Sequence, residues 1–411
     1  MDHRDARLLF ATRTLRLFAF GGLSVVLVLY LAAVGIDAGA IGLILTVALL
    51  GDAAITLWLT THADRLGRRR VLLIGAALMI LTGLVFAATD IAWVLGAVAI
   101  VGVLSPNGNE VGPFLAVEQA SLAQVVGDAN RTRVFGWYQM IGSFAQATGA
   151  LVGGLLATSL QGAGAAAVPS YRALLVGYTL IGLAIGGLVL LLSPRVEPAT
   201  ARDETIRRRL GLHRSQKVVA RLSALFALDA FGGGFVMQSL IAFWLAVRFQ
   251  ADPAVIGGVL FVANILSGFS GLVAARLAVR FGLINTMVFS HLPSNILLML
   301  VPFMPTLELA VALLFVRFAI SQMDVPTRQS YTMAVVEPDE RSAAAGVTGI
   351  ARSLGAAVSP TLATPLIAVP GLAAIPFLVG GGLKVAYDLL LYREFKNVRP
   401  PEEQAHARRV G

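Results

Sequence analysis

Long apolar segments alternate with short polar ones along the whole chain. A helix needs about 20 mostly apolar residues to cross a hydrocarbon layer about 30 Å thick, and runs of that length recur throughout the sequence. The pattern predicts an all-α membrane protein with twelve transmembrane helices. These helices are expected at residues 17–36, 40–62, 71–89, 91–116, 133–160, 171–192, 218–247, 253–275, 283–303, 307–325, 342–367 and 371–392.

The predicted helices form two groups of six, separated by the longest polar stretch of the chain. This organisation gives an N-terminal bundle at 1–192, a cytoplasmic linker at 193–217, a C-terminal bundle at 218–392 and a cytoplasmic tail at 393–411. The linker could be a solvated connector, or it could carry a short amphipathic helix on the membrane surface. The sequence leaves both interpretations open.

Short repeats relate the two halves to each other. The sequence AFGG at residues 19–22 recurs at residues 230–233, 211 positions later. Further matches follow in the same order. At an offset of 215, the matching residues are Ile41, Gly42, Arg65 and Gly67 with Ile256, Gly257, Arg280 and Gly282. At an offset of 210, they are Gln119, Arg131 and Gly136 with Gln329, Arg341 and Gly346. Ordered matches indicate two pseudo-symmetric six-helix units, an arrangement in which substrate binds between the repeats near the membrane midplane.

Composition supports the membrane assignment. Hydrophobic residues make up 57% of the 411-residue chain and charged residues 13%, whereas soluble domains carry about 25% charged residues. A formal net charge of +9 would suggest nucleic-acid binding in a soluble protein, but in a membrane protein the position of the charge matters more than its sum. We therefore predict a lipid bilayer, and no nucleic acid, as a partner.

The distribution of basic residues predicts orientation. If the N-terminus is inside, 26 of the 32 lysine and arginine residues fall in cytoplasmic segments, with Arg13, Arg16 and Arg328 among them. Only Arg172 and Arg248 fall in segments on the other side. Because cytoplasmic loops retain Lys and Arg, both termini are expected in the cytoplasm of a cell with a bacterial inner membrane. The basic N-terminal segment has no signal-peptide cleavage site, so the first helix is expected to remain.

Motifs for catalysis are not found in the sequence. The chain has no phosphate-binding loop, nucleophile elbow or zinc-type His/Glu cluster, so we predict neither an enzyme, nor ATP-driven transport, nor a cofactor. Cysteine is absent, which excludes disulfides and thiolate metal sites. Met287 and His291 could reach one soft metal ion, but two ligands are too few, and no metal site is predicted. His291 is interpreted as a core residue or as part of a kink before Pro293.

The loop between the second and third predicted helices carries the most specific motif. Its residues Asp64, Arg65, Gly67, Arg68 and Arg69 match the D-R-x-G-R-R core of the signature of the major facilitator superfamily, although Thr60 replaces the leading glycine. The chain resembles this family over essentially its whole length. The resemblance implies transport by alternating access, with this loop acting as a conformational latch between the two halves.

A second pattern bears on the subfamily. Drug:proton antiporters have a G-P-x-x-G-G pattern in the fifth helix, and Gly149, Ala150, Gly153 and Gly154 are similar to it except at the proline. Gly149 and Gly153 also form a G-x-x-x-G pair, which is typical of close helix packing. Both a resemblance to the antiporters and a packing role remain open.

Acidic residues inside predicted helices are candidate proton-coupling or substrate sites, because ionisable groups in hydrocarbon normally mark a pathway. Asp52 lies in the second helix and could have a function or form a hydrogen bond to the eleventh helix. Glu110 lies in the fourth helix among prolines and glycines that should interrupt the helix and free backbone groups for a ligand. Asp229 lies in the seventh helix beside glycines, and a buried carboxylate there can titrate within a transport cycle.

Basic residues at membrane depth are further candidates. Arg317 in the tenth helix and Arg352 in the eleventh could bind an anionic substrate, or could pair with Asp52, Asp229 or Asp324. Asp324 itself is expected as a solvated residue at a helix end.

Lys384 and Asp388 are four residues apart on the twelfth helix. This spacing favours an internal salt bridge.

The sequence therefore predicts a monomeric secondary active transporter. We expect it to export a small organic or amphipathic compound in exchange for protons. Uptake or facilitated diffusion of a small metabolite or metal species is the alternative within transport. A sensor or lipid-handling protein on the same fold is the alternative from another class.

Overall fold

The structure is a computed structural model that describes residues 3–109, 111–126, 131–197, 214–337 and 340–397; side chains at positions 3, 64, 131–133, 275 and 342 are not described. The described chain is built from α-helices. Their bounds are α1 His3–Ala33, α2 Ala38–Leu66, α3 Arg68–Ala88, α4 Ala92–Val101, α5 Phe114–Val125, α6 Arg131–Gly162, α7 Ala167–Leu190, α8 Gln216–Gly234, α9 Gln238–Phe249, α10 Pro253–Phe281, α11 Leu283–Leu300, α12 Leu307–Ser321, α13 Asp324–Ala334, α14 Arg341–Ala368 and α15 Ile375–Phe395.

Ten helical segments in the described ranges are long and apolar enough to cross a membrane. They correspond to ten of the twelve predicted helices. The fourth predicted helix is represented by the short apolar helix α4, and the eleventh by α14, which is long but less apolar because it contains Arg352 and many small or hydroxyl-bearing residues. The all-α membrane fold is confirmed. Of the twelve predicted spans, ten are supported by helices of sufficient length and hydropathy.

The fourth predicted helix is interrupted, as its prolines and glycines indicated. α4 ends at Val101 and α5 begins at Phe114, so the prediction of one continuous helix over 91–116 is wrong. Gly108 and Gly112 have φ values of +69° and +77°, which a residue with a Cβ rarely adopts. We call residues 102–109 and 111–113 the non-helical segment.

Two other predicted helices are also divided. The seventh consists of α8 and α9, with a break at residues 235–237, and the tenth consists of α12 and α13, with a break at residues 322–323. Interrupted helices at membrane depth expose backbone groups that neighbouring protein must satisfy.

The chain divides into two compact units. Unit 1 comprises 1–203, 237–264 and 360–368, and unit 2 comprises 204–236, 265–359 and 369–411. In unit 1, α1 packs against α6 and α7, and α3 packs against α7; in unit 2, α15 packs against α8 and α11. The units follow spatial contacts, whereas the bundle boundaries at 192 and 218 were drawn from chain order and stay a prediction.

Large apolar side chains cover much of the outer surface. Trp93 and Val279, for example, are 76% and 80% exposed. Exposed apolar side chains over so many helices would be unfavourable in water, but they match the hydrocarbon of a bilayer. The structure is thus that of a multi-pass membrane protein.

The glycines of α6 allow close contact with α1. A Cβ placed on Gly149 would lie 1.9 Å from the backbone oxygen of Phe18, and one on Gly153 would lie 2.7 Å from Cα of Gly22. Both distances are well inside van der Waals contact. The packing role proposed for the G-x-x-x-G pair is therefore present in unit 1.

Gly149→Ala is expected to destabilise the protein by about 1–3 kcal/mol, because the added methyl group must push α1 and α6 apart. Gly187→Ala in α7 is the matched control, since a Cβ there meets nothing within 4 Å. Thermal unfolding of the two variants in detergent would measure the difference. Equal unfolding temperatures would contradict the close-packing role.

Candidate functional site

Unit 2 contains a group of buried ionisable side chains from four helices. Each of them is less than 10% exposed. We call this group the charge cluster; its members are Asp229 on α8, His291 on α11, Asp324 and Arg328 on α13, and Lys384 and Asp388 on α15.

Asp229 lies at the centre of the charge cluster. Its Oδ1 is 2.6 Å from Nζ of Lys384, and its Oδ2 is 3.2 Å from Nη1 of Arg328. The close approach depends on glycine, because a Cβ on Gly232 of α8 would lie 2.8 Å from the backbone oxygen of Gly380 on α15. One carboxylate therefore joins α8 to both α13 and α15.

Arg328 is shared by two carboxylates. Its Nη1 lies 2.8 Å from Oδ2 of Asp324 as well as 3.2 Å from Oδ2 of Asp229. Asp324 begins α13 and is buried. The expectation that Asp324 is solvated is wrong, since the short helix α13 directs both charges into unit 2.

His291 lies between two carboxylates. Its Nδ1 is 2.8 Å from Oδ1 of Asp388, and its Nε2 is 3.8 Å from Oδ1 of Asp229. Asn295, one turn further along α11, donates from Nδ2 to the other oxygen of Asp388 at 3.0 Å. An imidazolium in this position would have a carboxylate on each side.

The sequence predicted a salt bridge between Lys384 and Asp388 within α15. In the structure Lys384 pairs with Asp229, while Asp388 accepts hydrogen bonds from His291 and Asn295. The spacing on one helix allowed the internal pair, but partners on α8 and α11 lie closer. The prediction of the internal salt bridge is wrong.

The charge cluster is close to electrically balanced. Its three carboxylates face the basic side chains of Arg328 and Lys384, with Arg352 close beside them, and His291 lies between two of these carboxylates. Histidine titrates nearer to neutral pH than any other side chain, and electrostatic interactions are strong where water is excluded. The cluster thus places an imidazole between two carboxylates, one of which also holds Lys384 and Arg328.

Unit 1 contains a second buried ion pair, which the sequence did not indicate. Arg16 on α1 donates from both terminal nitrogens to the two oxygens of Glu118 on α5, each at 2.8 Å. Thr12 donates to Glu118 at 2.8 Å, and Tyr138 also donates to it. All four side chains are fully buried.

The two ion pairs have opposite polarity. Glu118 and Arg328 occupy equivalent positions in the sequence repeat with the offset of 210. In unit 1 the acid is on α5 and the cation on α1, whereas in unit 2 the cation is on α13 and the acid, Asp229, on α8. Within the described residues, only the pair of unit 2 has a histidine beside it.

One of the sequence-predicted acids, Asp52, is hydrogen-bonded to the non-helical segment. Asp52 accepts a hydrogen bond from the backbone N–H of Gly112 at 2.5 Å and from Thr56 at 3.3 Å. Its partner is thus the non-helical segment, and the suggested hydrogen bond to the eleventh helix is not the one formed. Glu110 lies outside the described residues.

The predicted basic candidates have different surroundings. Arg317 is buried at 8% exposure, and within the described residues its guanidinium forms no ion pair, so the suggested pairing with Asp52, Asp229 or Asp324 is not seen there. Arg352 is half-buried and lies close enough to Asp229, Asp324 and Arg328 to interact with them electrostatically. Arg352 therefore adds positive potential beside the charge cluster.

The loop with the signature motif is anchored within unit 1. Gly67 has φ +92°, a conformation that favours glycine and permits the tight turn from α2 to α3. Glu197 accepts hydrogen bonds from the backbone N–H groups of Arg68 and Arg69 at 2.7 and 3.0 Å, and so caps the start of α3. The Arg68 side chain binds Gln124 at 2.8 Å. The side chain of Asp64 is not among those described.

Several functional candidates were missed by the sequence because they were assigned to the wrong environment. Arg13, Arg16 and Arg328 were counted as cytoplasmic, but all are buried within helices of candidate spans. His291 was interpreted as a core or kink residue. A usable signal existed for Arg328, because Asp324 precedes it by four residues, the spacing of an ion pair on one helix.

Comparisons with known proteins agree with this architecture. The family model described as Major Facilitator Superfamily matches residues 9–404. The uncharacterized membrane protein YJR124C of Saccharomyces cerevisiae is 29% identical over 425 residues, which cover 96% of this chain and 95% of that protein.

Solved transporter structures are similar in fold. The nucleoside transporter NupG superposes with a TM-score of 0.75 at 16% identity, covering 96% of this chain and 100% of that one. A D-xylose-proton symporter gives a TM-score of 0.72 at 16% identity, with 94% and 97% covered. These identities are low and show the fold alone, but the family model covers nearly the whole sequence. The chain belongs to the Major Facilitator Superfamily.

Proposed function

We propose that this transporter of the Major Facilitator Superfamily couples substrate movement to protons through the charge cluster. The proposal rests on one observation: His291 lies between Asp388 and Asp229, and Asp229 also holds Lys384 and Arg328. In this geometry His291 can bind a proton. Its charge would then change the ion pairs that Lys384 and Arg328 form with Asp229.

Protonation would act by changing the charge balance. When His291 takes up a proton, the imidazolium competes with Lys384 for Asp229. Asp229 then holds Lys384 less strongly. Because a buried cation needs a nearby carboxylate, Lys384 moves away from Asp229 toward another arrangement of ion pairs, and α15 moves with it. A shift of this kind between two discrete arrangements of ion pairs is the type of switch that alternating access requires.

The direction of transport is proposed from the resemblance to antiporters. We propose export of a small organic or amphipathic compound in exchange for protons. Of the glycines that carry the resemblance, Gly149 and Gly153 are used in packing against α1, and Gly154 in packing against α10. Uptake of a small metabolite together with protons is the second candidate, and the solved D-xylose-proton symporter has the same fold.

The proposal also covers the membrane orientation of the transporter and the role of its motif loop. We propose that both termini are cytoplasmic, that the membrane is a bacterial inner membrane and that the transporter works as a monomer. The motif loop, with Arg65, Gly67, Arg68 and Arg69, is proposed as the conformational latch. Its support is the anchoring of the start of α3 by Glu197, directly after the turn at Gly67.

Reconstituted protein is expected to move compounds in response to a pH gradient. Proteoliposomes would be screened with a panel of neutral, anionic and cationic small compounds, and flux would be recorded with and without the gradient. For a transported compound, we expect flux to rise about tenfold or more with the gradient, the rate equivalent of ~1.4 kcal/mol. A protonophore should remove the increase.

The sign of the response distinguishes the two candidates. Accumulation on the acidic side identifies exchange with protons, and accumulation on the alkaline side identifies movement with protons. Flux that ignores the gradient would contradict proton coupling and favour facilitated diffusion. Tight binding without any flux would favour a sensor or lipid-handling protein.

A further inference from the structure

Two interrupted helices contribute to one polar region of unit 1. The non-helical segment supplies Pro106, whose backbone oxygen accepts from the N–H of Ser239 at 3.1 Å. It also supplies Asn107, whose Oδ1 accepts from the N–H of Gln238 at 3.0 Å. The start of α9 is thus held against the non-helical segment, and each satisfies backbone groups that the other leaves free.

Four amide side chains meet at this position. We call them the amide cluster: Asn107, Asn109, Gln146 and Gln238. Nε2 of Gln146 lies 3.3 Å from Oδ1 of Asn109 and 3.5 Å from Oε1 of Gln238. Nε2 of Gln238 donates to Ser24 at 3.1 Å. The cluster therefore joins α6, α9 and the non-helical segment, and Ser24 links it to α1.

The backbone is shaped to admit the amide of Gln146. Gly108 has φ +69°, and a Cβ at this residue would lie 2.9 Å from Nε2 of Gln146. Any larger residue at 108 would push the glutamine out of the cluster. The turn of the non-helical segment thus places a backbone surface directly beside the amide.

The hydrogen bonds of Gln146 are poor for so buried a group. Gln146 is 8% exposed, yet its contacts of 3.3–3.5 Å are longer than the usual 2.7–3.2 Å. A buried amide without good partners is unfavourable. A purely structural role would leave this cost without compensation, whereas a ligand that completes the hydrogen bonds would remove it.

The cluster also has unused capacity. Within the described residues, Oε1 of Gln146 and Nδ2 of Asn107 and Asn109 form no hydrogen bond. Asn109 is exposed, and Asn107 and Gln238 are half-buried, so a ligand can reach the cluster. Each amide offers both a donor and an acceptor, which suits hydroxyl, carbonyl and ring-nitrogen groups together.

We propose that the amide cluster binds the transported compound and selects an uncharged molecule with several hydroxyl or amide-type groups, of the sugar or nucleoside kind. The inference rests on the proposed transport function and narrows its substrate class. In the part of the chain that the structure describes, no charged side chain forms a hydrogen bond with the four amides. Among the described residues, a charged ligand would lose its hydration there without gaining a counter-ion hydrogen-bonded to the amides.

Binding measurements on the purified full chain in detergent test the proposal. The probes are a panel of nucleosides, pentoses and hexoses, with benzoate as an anion and tetraphenylphosphonium as a cation. The variants are Gln146→Leu and Gln238→Leu. Gln161→Leu is the matched control, because Gln161 is also on α6 but bonds to Ser170 at 2.8 Å, apart from the cluster.

We expect at least one neutral probe to bind and to bind about tenfold or more weakly in Gln146→Leu and Gln238→Leu. Gln161→Leu should bind like the wild type. Unfolding temperatures without ligand would show that each variant is folded. If Gln146→Leu does not fold, binding to Gln238→Leu alone tests the amide site.

The proposal is overturned if no neutral probe binds, if the charged probes bind instead, or if both cluster variants bind like the control. These results are separable from failure of proton coupling. Neutral binding that depends on the amides, together with flux that ignores a pH gradient, would remove only the proposed coupling. Proton-driven flux of a charged compound that is unaffected by both variants would remove only the amide site.

Discussion

Asp229→Asn is expected to abolish proton-driven flux while leaving gradient-independent exchange of substrate in place. The substitution keeps the size of the side chain but removes the charge that joins Lys384 to Arg328 and attracts His291. Without that charge, protonation of His291 no longer competes for a shared carboxylate. We expect a loss of at least about 30-fold in gradient-driven flux, the rate equivalent of ~2 kcal/mol.

The measurement compares two fluxes in the same proteoliposomes. Net accumulation driven by a pH gradient reports coupling, and exchange of labelled for unlabelled compound at equal pH reports binding and movement. Asp90→Asn is the matched control, because Asp90 forms an ion pair with Arg172 but is 51% exposed. His291→Gln should reproduce the loss of coupling in Asp229→Asn.

Gradient-driven flux that persists in Asp229→Asn would contradict the assignment of the charge cluster. If the same flux were lost in Glu110→Gln, the coupling carboxylate would be Glu110. Loss of both fluxes, together with a lowered unfolding temperature, would assign Asp229 a structural role. These results therefore distinguish coupling through Asp229, coupling through Glu110 and a purely structural role of Asp229.

Glu118→Leu is expected to destabilise the protein by about 3–5 kcal/mol, the usual cost of removing one partner of a buried ion pair. The variant leaves Arg16 buried without a counter-ion and removes the acceptor of Thr12 and Tyr138. The unfolding temperature in detergent measures the effect. Because all four side chains are fully buried, water cannot replace the lost contacts.

The double variant Arg16→Met with Glu118→Leu should recover most of this stability, because an apolar pair of similar volume carries no desolvation cost. Asp90→Ala breaks the exposed pair with Arg172 and should cost no more than about 1 kcal/mol. A double variant as unstable as Glu118→Leu alone would show that the pair does more than balance charge. A Glu118→Leu protein of normal stability would contradict the buried pairing.

The contrast between the two ion pairs explains why coupling is assigned to unit 2. The carboxylate of Glu118 receives four hydrogen bonds from three side chains, and none of those donors titrates near neutral pH. Asp229 instead shares Arg328 with Asp324 and has His291 at 3.8 Å. The first network can hold helices together, and the second can respond to protons.

The sequence determined the class of fold because that class depends on local properties. Hydrocarbon requires every spanning segment to be a long apolar helix, so segment length alone located most helices. The same local chemistry predicted the interruption near Pro106 and Gly108, because neither residue fits a regular helix there. The Asp64–Arg69 motif indicated the family, which the match over residues 9–404 confirms.

Only the tertiary structure decided which charges meet. Asp229, His291, Arg328 and Lys384 are separated by up to 155 positions, and a linear pattern assigns each of them the nearest partner, or none. The sequence therefore joined Lys384 to Asp388 and placed Arg328 in a loop. Helix packing, with glycines 232 and 380 in close contact, brings Lys384 to Asp229 instead. Ion pairs follow distance in space, and that distance is set by packing rather than by position along the chain.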